Sequence, residues 1–220
     1  MRVRWYGQSA YLLTAGDKAV LIDPLQPNPR FPFPVMHDIR CDLLLVTHEH
    51  GDHNGVQVAA GSPFTVRSTA GTYDTPLGQV IAVNSEHDDV AGTKRGPNAI
   101  MVFSFGGVRV CHLGDLGQRA LRPEQAAAIG QVDLLFAPVG GGPTIDAAQA
   151  QQLGQELGAR WVVPCHFDTG GLSFLRPVDD FVALYPAAQV RRLESSEFET
   201  EGLQGERGRP LVVVPRAPKA

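Results

Sequence analysis

The chain has 220 residues, of which 43% are hydrophobic and 19% are charged. This length suffices for one well-packed domain or two small ones, and the composition excludes a disordered or fibrous protein. The formal net charge of −4 at pH 7 provides no overall positive field that would hold nucleic acid or an anionic membrane surface.

The three cysteines are an odd number and show no framework spacing: Cys41, Cys111 and Cys165. They fit a reducing compartment better than a disulfide-built secreted domain. The N-terminal segment breaks its apolar stretches with polar residues and a turn at 16–18, which is typical of strands and not of a signal peptide. No apolar run approaches the ~20 residues that a membrane helix needs. We therefore expect a cytoplasmic protein that has no membrane partner.

The first half of the chain predicts strands and one irregular segment. Residues 24–40 contain five prolines, which exclude a regular helix or a central strand and predict an ordered surface loop. The paired glycines at 106–107 predict a hairpin. The predicted strands are residues 2–6, 10–15, 19–24, 42–47, 63–68, 79–85, 99–105 and 108–115.

Strands and helices alternate in the second half. Helices are predicted at 122–130, at 144–158 with Thr144 as its N-cap, and at 177–186. Strands are predicted at 133–138, 160–166 and 211–214. Antiparallel strands followed by this alternation indicate an α+β fold, in which sheets pack on each other with helices outside. We predict a single domain over residues 1–220, with a tail that is frayed after about residue 215.

Four side chains that bind metals lie together in the segment THEHGDHNG: His48, His50, Asp52 and His53. The chain contains only seven histidines, so this clustering is informative. A spacing of two puts His48 and His50 on one side of an extended chain, whereas helical histidine pairs are spaced by four. Imidazole nitrogens and carboxylate oxygens suit zinc, manganese or iron.

Further candidate ligands lie at or just after the ends of predicted strands: His87, His112, Asp115 and His166. Loops at strand ends hold functional side chains in place because the scaffold beneath them is rigid. Four ligands leave two metal ions incompletely coordinated, so these residues would complete the site if the strand ends meet at one rim.

THEHGDHNG resembles the signature of the metallo-β-lactamase fold superfamily, which implies a four-layered αββα sandwich with a dinuclear site at one edge of its two sheets. The resemblance covers almost the whole chain. RWYGQSAYLLTAGDKAVLIDP resembles the opening of the branch that contains the ascorbate-6-phosphate lactonases. HLGDLG resembles that branch's H-x-G-D-T-G, with Leu116 in place of the usual threonine, and DLLFAPVGGGPT and VVPCHFDT resemble two later segments.

The ligand set that this resemblance implies has two groups of three side chains, each holding one metal ion, and one bridging carboxylate: His48, His50 and His87; Asp52, His53 and His166; and Asp115. His112 is the alternative to His87, and otherwise orients a ligand or the substrate from outside the ligand set. Asp23 would be a structural acid beneath the histidine loop.

The expected cofactors are two divalent cations, zinc first, with manganese or iron as alternatives. They would lower the pKa of a shared water and give a bridging hydroxide at pH 7. Asp52 and Asp115 would act in catalysis as ligands, and no serine nucleophile motif is present. We expect a metal-dependent hydrolase that acts on a small anionic ester, lactone or phosphoester.

Substrate contacts are expected from the segment GTKRGPN, where Lys94, Arg95 and Asn98 would clamp a phosphate or carboxylate. A solvated basic turn is the alternative. The glycines at 140–142 would either offer backbone N–H groups to an anion or form only a close-packed turn.

Other functions remain open. A phosphodiesterase or nuclease would share the metal core but needs a basic exosite, which the sequence does not display. A β-lactam hydrolase is disfavoured because its second metal site differs. A non-catalytic metal-binding protein would retain substrate analogues without hydrolysing them. We expect a small-molecule substrate and no nucleic-acid partner, and a homo-oligomer is compatible with the sequence.

Overall fold

The computed structural model describes residues 1–29 and 31–219. Two large sheets pack face to face within these residues. The strands, in chain order, are β1 (Arg2–Gly7), β2 (Ala10–Ala15), β3 (Lys18–Ile22), β4 (Ile39–Arg40), β5 (Leu43–Val46), β6 (Ala59–Ala60), β7 (Phe64–Arg67), β8 (Gly71–Thr75), β9 (Gly78–Glu86), β10 (Pro97–Phe105), β11 (Val108–His112), β12 (Leu134–Pro138), β13 (Trp161–Cys165), β14 (Val190–Arg192), β15 (Glu197–Glu199) and β16 (Leu211–Val214).

The α-helices of the described chain are short: α1 (Pro123–Ile129), α2 (Ala147–Glu156) and α3 (Val178–Val182). Two 3-10 turns, Val56–Val58 and Ala187–Gln189, complete the helical elements. None of the helices formed by residues 1–29 and 31–219 has the length and apolarity required to cross a membrane.

The six-stranded sheet has the order β15-β1-β2-β3-β5-β7, and the eight-stranded sheet has the order β14-β16-β13-β12-β11-β10-β9-β8. In each sheet, antiparallel strands on one side adjoin parallel strands on the other. Strands β5, β12 and β13 are parallel and buried along their whole length. Burial on both faces accounts for their continuous apolar sequences.

The predicted hairpin at 106–107 is confirmed. Strands β10 and β11 pair Phe105 with Val108, and Gly106 and Gly107 have φ angles of 56° and 76°. Both angles lie in the left-handed region, which glycine adopts without a steric cost, and this turn matches the twist of the flanking strands.

Aromatic side chains from both sheets fill the space between them. The ring centroids of Tyr11, from the six-stranded sheet, and Phe136, from the eight-stranded sheet, are 4.2 Å apart. Both side chains are fully buried. Burying a side chain of the size of Phe136 stabilises the fold by about 1.5–3 kcal/mol.

Helix α2 covers the outer face of the eight-stranded sheet. A Cβ atom on Gly154 of this helix would lie 3.3 Å from Val162 Cγ2 and 3.9 Å from Leu135 Cδ2. The absence of a side chain at Gly154 therefore allows the helix to approach the sheet closely.

The proline-rich segment covers the outer face of the six-stranded sheet. Leu25, Phe33 and Met36 of this segment form a buried cluster with Leu21 and Leu44 of the sheet. The predicted α+β sandwich is confirmed. In the αββα arrangement a layer of helices covers the outer face of each sheet. On the six-stranded sheet of this protein, irregular chain and the 3-10 turn Val56–Val58 take the place of that layer. The five prolines of residues 24–40 prevent a regular helix there.

The prediction that Thr144 caps the second helix is wrong. Helix α2 begins three residues later, and its N-cap is Asp146, whose carboxylate accepts the backbone N–H of Gln149. The Thr144 hydroxyl instead donates to the backbone carbonyl of Gly141 at 3.3 Å. Asp146 and Gln149 form a capping box, in which each side chain satisfies a backbone N–H of the other.

The described chain has no strand or helix beyond Val214. The backbone of the C-terminal tail is nevertheless held at Arg216, whose N–H donates to the Ser195 carbonyl at 3.0 Å. The assignment of residues 1–220 to a single domain stays a prediction.

Candidate metal centre

The metal-binding side chains named from the sequence meet at one edge of the sandwich, where strands of both sheets end. Strand β5 leads into the segment with His48, β9 into His87, β11 into Asp115, and β13 into His166. The convergence of strand ends at one rim, expected from the sequence, is therefore present.

Three histidines form the first group. The ligand nitrogens of His48, His50 and His87 all lie within 4.8 Å of one another. His48 Nε2 is 3.1 Å from His50 Nδ1. The second nitrogen of His87, Nδ1, lies 3.1 Å from the backbone carbonyl of Pro143, and a proton on Nδ1 would leave Nε2 free as a ligand.

A second group consists of Asp52, His53 and His166, whose ligand atoms also lie within 4.8 Å of one another. The Asp52 Oδ2 atom is 3.8 Å from His53 Nε2 and 3.6 Å from His166 Nε2. His53 and His166 are buried, whereas Asp52 retains partial exposure. The group therefore faces the outside through its carboxylate.

Asp115 lies between the two groups. Its Oδ2 atom is 3.2 Å from His87 Nε2 in the first group and 3.3 Å from His166 Nε2 in the second. Its Oδ1 atom is 3.2 Å from His53 Nε2. One carboxylate thus contacts ligand atoms of both groups, as a bridging ligand must.

Nε2 of His53 and Oδ1 of Asp115 are 3.2 Å apart, yet neither atom makes a hydrogen bond of good geometry within the described chain, and Nδ1 of His166 also has no partner there. A buried polar atom without a partner costs about 1–3 kcal/mol. A cation held by His53 Nε2 and Asp115 Oδ1 would remove that cost, and their nitrogen and oxygen donors match zinc, manganese or iron. The residues present therefore fit a divalent metal ion.

Burial and charge shift the pKa values of this centre in opposite directions. Burial works to raise the pKa of Asp115, but His166 and His53 hold it well below its usual value. Burial works to lower the pKa of His53, but the neighbouring carboxylates, that of Asp115 first, raise it well above its usual value. Burial lowers the pKa of His48 to about 3, so His48 is neutral near pH 7 and its ring nitrogens are available to a metal.

Asp23 lies beneath the histidine loop, as the resemblance implied. Its Oδ1 atom accepts the backbone N–H of Thr47 at 2.7 Å, and its Oδ2 atom accepts the Thr47 hydroxyl at 2.7 Å and contacts His53 Nδ1 at 2.8 Å. This carboxylate is fully buried. The fixed position of His53 Nδ1 directs Nε2 of the same ring toward Asp115.

His112 is buried just outside the two groups, and both of its ring nitrogens contact the backbone. Nε2 is 3.0 Å from the Ser9 carbonyl, and Nδ1 accepts the backbone N–H of Gly114 at 3.0 Å. Gly114 has a φ angle of 58°, and a Cβ atom there would collide with Asn98 and Thr47. These contacts leave His112 no free nitrogen for a metal and support His87 as the ligand.

Glu49, a residue that the sequence interpretation did not select, anchors the histidine loop to strand β7. Its carboxylate accepts from Arg67 Nε at 2.8 Å and Nη2 at 2.6 Å, and from the Ser68 hydroxyl at 2.5 Å. These hydrogen bonds, that of Arg67 foremost, lower the pKa of Glu49 to about 2. Its position between His48 and His50 was the available signal.

The prediction that Asn98 contacts substrate is wrong. Asn98 is only 2% exposed. Its amide group donates to Ser85 Oγ and to the Leu113 carbonyl, and its amide oxygen accepts the backbone N–H of Asp115 at 3.1 Å. Because the whole amide is engaged, Asn98 positions the segment that carries Asp115.

Lys94 and Arg95 line a cavity of about 540 Å³, together with residues of the glycine-rich turn that include Gly142 and Pro143. The two segments singled out for anion binding therefore meet. The seven proposed ligands are not among the lining residues. The cavity adjoins the first group through Pro143, whose carbonyl contacts His87.

Asp88 fixes the loop that presents Lys94 and Arg95. Its carboxylate accepts four backbone N–H groups, from Val90, Gly92, Lys94 and Arg95, at 2.8–2.9 Å. Burial works to raise the pKa of Asp88, but the four N–H groups lower it to about 2. The basic segment is therefore an ordered part of the cavity wall.

The sandwich fold and the histidine–aspartate edge define the class of protein to which the chain belongs. The family described as the beta-lactamase superfamily domain matches residues 2–166. The chain therefore belongs to this superfamily, and the membership predicted from THEHGDHNG is confirmed. The finer resemblance to the ascorbate-6-phosphate lactonase branch stays a prediction.

Similar proteins within the superfamily are named metal-dependent hydrolases. The chain is 33% identical over 194 residues to a UPF0173 metal-dependent hydrolase of Thermus thermophilus, with 77% of this chain and 84% of the relative covered. It is 28% identical over 200 residues to a UPF0173 metal-dependent hydrolase of Hyperthermus butylicus, with 76% and 83% covered.

Solved structures show the same architecture. A Thermotoga maritima protein described as a candidate Zn-dependent hydrolase of the metallo-β-lactamase superfamily has a TM-score of 0.77 and 28% identity, with 97% of each chain covered. Igni18, a metallo hydrolase of Ignicoccus hospitalis, has a TM-score of 0.62 at 20% identity, with 83% of this chain and 89% of that chain covered. The likeness to Igni18 concerns the fold alone.

Proposed function

We propose that the chain is a dinuclear metal-dependent hydrolase of a small anionic ester, lactone or phosphoester. The observation that supports this most directly is the position of Asp115, whose two carboxylate oxygens lie 3.2–3.3 Å from ligand nitrogens of both three-residue groups. The names of the relatives support the metal-dependent hydrolase class, and the two-ion site and the substrate are our proposal.

In this proposal His48, His50 and His87 would hold one ion, Asp52, His53 and His166 would hold the other, and Asp115 would be a ligand common to both. When bound, two such ions supply a water-derived nucleophile at neutral pH and polarise the bond under attack. The nitrogen and oxygen donors favour zinc, with manganese and iron as alternatives.

The protein's own contribution is to orient these ligands. Asp23 contacts Nδ1 of His53, and the Pro143 carbonyl contacts Nδ1 of His87. Each contact selects the tautomer in which Nε2 has a free lone pair and fixes the plane of the ring. The burial of these rings excludes water from all but the exposed side, where His50 and Asp52 lie.

Charge supports an anionic substrate. Two divalent ions bring four positive charges, whereas Asp52 and Asp115 return two negative ones and the histidine ligands are neutral. The centre would therefore be positive within a chain of net charge −4. Lys94 and Arg95, in the adjoining cavity, would add attraction for a carboxylate or phosphate.

The decisive experiment is an activity screen of protein stripped of metal and then reconstituted with zinc, manganese or iron. The panel contains carboxylic esters and lactones, each as an anionic and a neutral member, together with phosphodiesters and nucleic acids. Asp115→Asn should lose turnover, whereas His37→Ala, which removes an exposed histidine outside the site, should keep it. Metal-dependent turnover of an anionic member would support the proposal.

Two other outcomes would favour the alternatives. Turnover confined to phosphodiesters and nucleic acids would favour a phosphodiesterase or nuclease. Tight metal binding without any turnover across the panel would favour a non-catalytic metal-binding protein. The cytoplasmic location and the absence of nucleic-acid and membrane partners remain parts of the proposal.

A further inference from the structure

Gln8 occupies an unusual position beside the metal centre. It lies in the turn between β1 and β2 and is 1% exposed, with a φ angle of 45°. Non-glycine residues seldom adopt this left-handed conformation, and such strain concentrates at functional sites. Asp23 and His166 at the metal centre share it, with φ angles of 44° and 48°.

The turn with Gln8 is joined to the segment with His166 through the backbone. The carbonyl of Gln8 accepts the His166 N–H at 3.4 Å and the Trp5 indole N–H at 2.9 Å. The neighbouring Ser9 carbonyl contacts His112 Nε2. The turn therefore lies against two histidines of the metal edge.

The side chain of Gln8 and the ring of His166 both contain buried polar atoms without a partner in the described chain. These atoms are Nε2 and Oε1 of Gln8 and Nδ1 of His166. Each such atom costs about 1–3 kcal/mol. A methionine at position 8 would fill a similar volume without this cost, so a purely structural role does not account for the amide.

The orientation of His166 identifies which partner is missing. Its Nε2 atom faces the centre, at 3.3 Å from Asp115 and 3.6 Å from Asp52. If Nε2 binds a metal ion, Nδ1 must hold the proton, and that N–H requires an acceptor. Other proposed histidine ligands have such an acceptor at the second ring nitrogen: Nδ1 of His53 faces Asp23, and Nδ1 of His87 faces the Pro143 carbonyl.

We propose that Gln8 is a positioning residue for His166, and that its Oε1 atom accepts the His166 Nδ1–H when metal is bound. This inference depends on the proposed metal centre. The backbone hydrogen bond between the two segments holds Gln8 beside His166, and the partnerless atoms of the two side chains are complementary, one acceptor oxygen and one ring nitrogen. The bond would fix the ring plane of His166 and thereby raise the affinity of the second group for its ion.

The test is a zinc titration of metal-free protein against a competing chelator, with the thermal midpoint of the metal-free protein measured beside it. Gln8→Met removes the acceptor and keeps the volume. Gln8→Glu keeps an acceptor but buries a carboxylate. Gln125→Met is the matched control, because it replaces a buried glutamine whose amide bonds to Asn84 and Gln118 and, within the described chain, to none of the proposed ligands.

We expect Gln8→Met to weaken one of the two zinc equivalents by about 10–100-fold, the usual cost of losing such a partner, while the metal-free protein keeps or gains stability. Gln8→Glu should keep zinc affinity and lose metal-free stability, because an unpaired buried carboxylate is costly. Gln8→Met would thus lose zinc affinity without losing stability, whereas Gln8→Glu would lose stability without losing zinc affinity. Gln125→Met should lower stability and leave both equivalents unchanged.

Wild-type affinity for both equivalents in Gln8→Met would overturn the inference. So would an affinity that simply follows metal-free stability across the three variants. These results are distinguishable from failure of the proposed function, which would appear as a wild-type protein that takes up no zinc in the same titration.

Discussion

The imidazole of His87 faces the carboxylate of Asp115, with Nε2 3.2 Å from Oδ2. His87 follows strand β9 and Asp115 follows β11, and these strands are separated in the sheet by β10. The segment with Asp115 is held to β10 by Asn98, which accepts its backbone N–H. The fold thus brings together two residues 28 positions apart in the sequence, and the proposed metal chemistry depends on this pairing.

Metal stoichiometry is the first prediction. Two groups of three ligands and one bridging carboxylate should hold two ions per chain, about 3.5–4 Å apart as in other two-metal sites. Elemental analysis of protein purified without chelator should approach two equivalents. One equivalent that does not increase after reconstitution with zinc and manganese would contradict the dinuclear proposal.

The second prediction separates His87 from His112. His87→Ala should lose one metal equivalent and nearly all activity, because it removes a proposed ligand. His112→Ala should keep most of its metal and lose activity by about 10–100-fold. It removes the contacts that orient two separate backbone segments, one at Ser9 and one at Gly114. Metal analysis and turnover of both variants provide the measurement, and the reverse pattern would make His112 the ligand.

The metal-binding edge was predictable because its signals are local in sequence. His48, His50, Asp52 and His53 lie within one loop, and the glycines and apolar runs around them mark the strand ends. Cys165 and His166 are neighbours with opposite surroundings: Cys165 is buried against Ser9, while His166 faces the centre.

Other features depend on contacts that sequence patterns do not encode. Lys94 and Asn98 are four residues apart, yet one lines a cavity and the other is buried among backbone groups. Strands β14 and β15 have only three residues each and contain charged residues, as in Glu197–Glu199, so their sequences are too short to show a strand pattern. They pair because neighbouring strands present free edges, which is a tertiary effect.

The third prediction concerns Asp23. Asp23→Asn replaces one acceptor oxygen by an N–H donor that faces either the Thr47 donors or His53, so a buried hydrogen bond is lost and the protein should be destabilised by about 1–3 kcal/mol. Zinc affinity should fall by about 10–100-fold because His53 loses its orientation. Urea denaturation and zinc titration would measure both effects.

Asp42→Asn is the control for Asp23→Asn. Asp42 also accepts a backbone N–H, that of Ala19 at 2.9 Å, but it lies at the opposite end of β3 and is partly exposed. The Asp42→Asn variant should lose little stability and no zinc affinity. Equal zinc affinity in Asp23→Asn and the wild type would show that Asp23 supports the fold without orienting His53.

The last prediction concerns how substrate charge is recognised. Arg95 and Arg119 line the same cavity, but their surroundings differ. Arg119 is paired with Asp89 at 2.9 Å, whereas no ion pair in the described chain involves the Arg95 side chain. Arg95 is therefore available to a carboxylate or phosphate, together with Lys94 beside it. Its backbone N–H is held by Asp88, so removing the side chain should leave the loop in place.

Arg95→Ala should raise KM for the anionic member of a substrate pair and leave kcat and metal content unchanged. The lost contact would bind the substrate and its transition state equally well, and it does not involve the reacting groups. The loss should be about 10–150-fold in kcat/KM, which corresponds to one hydrogen bond to a charged group of about 1.5–3 kcal/mol. Arg119→Ala, the matched control, should have a smaller effect, since its charge is already compensated by Asp89. Equal kcat/KM for the anionic and neutral members, unchanged in Arg95→Ala, would refute recognition by charge.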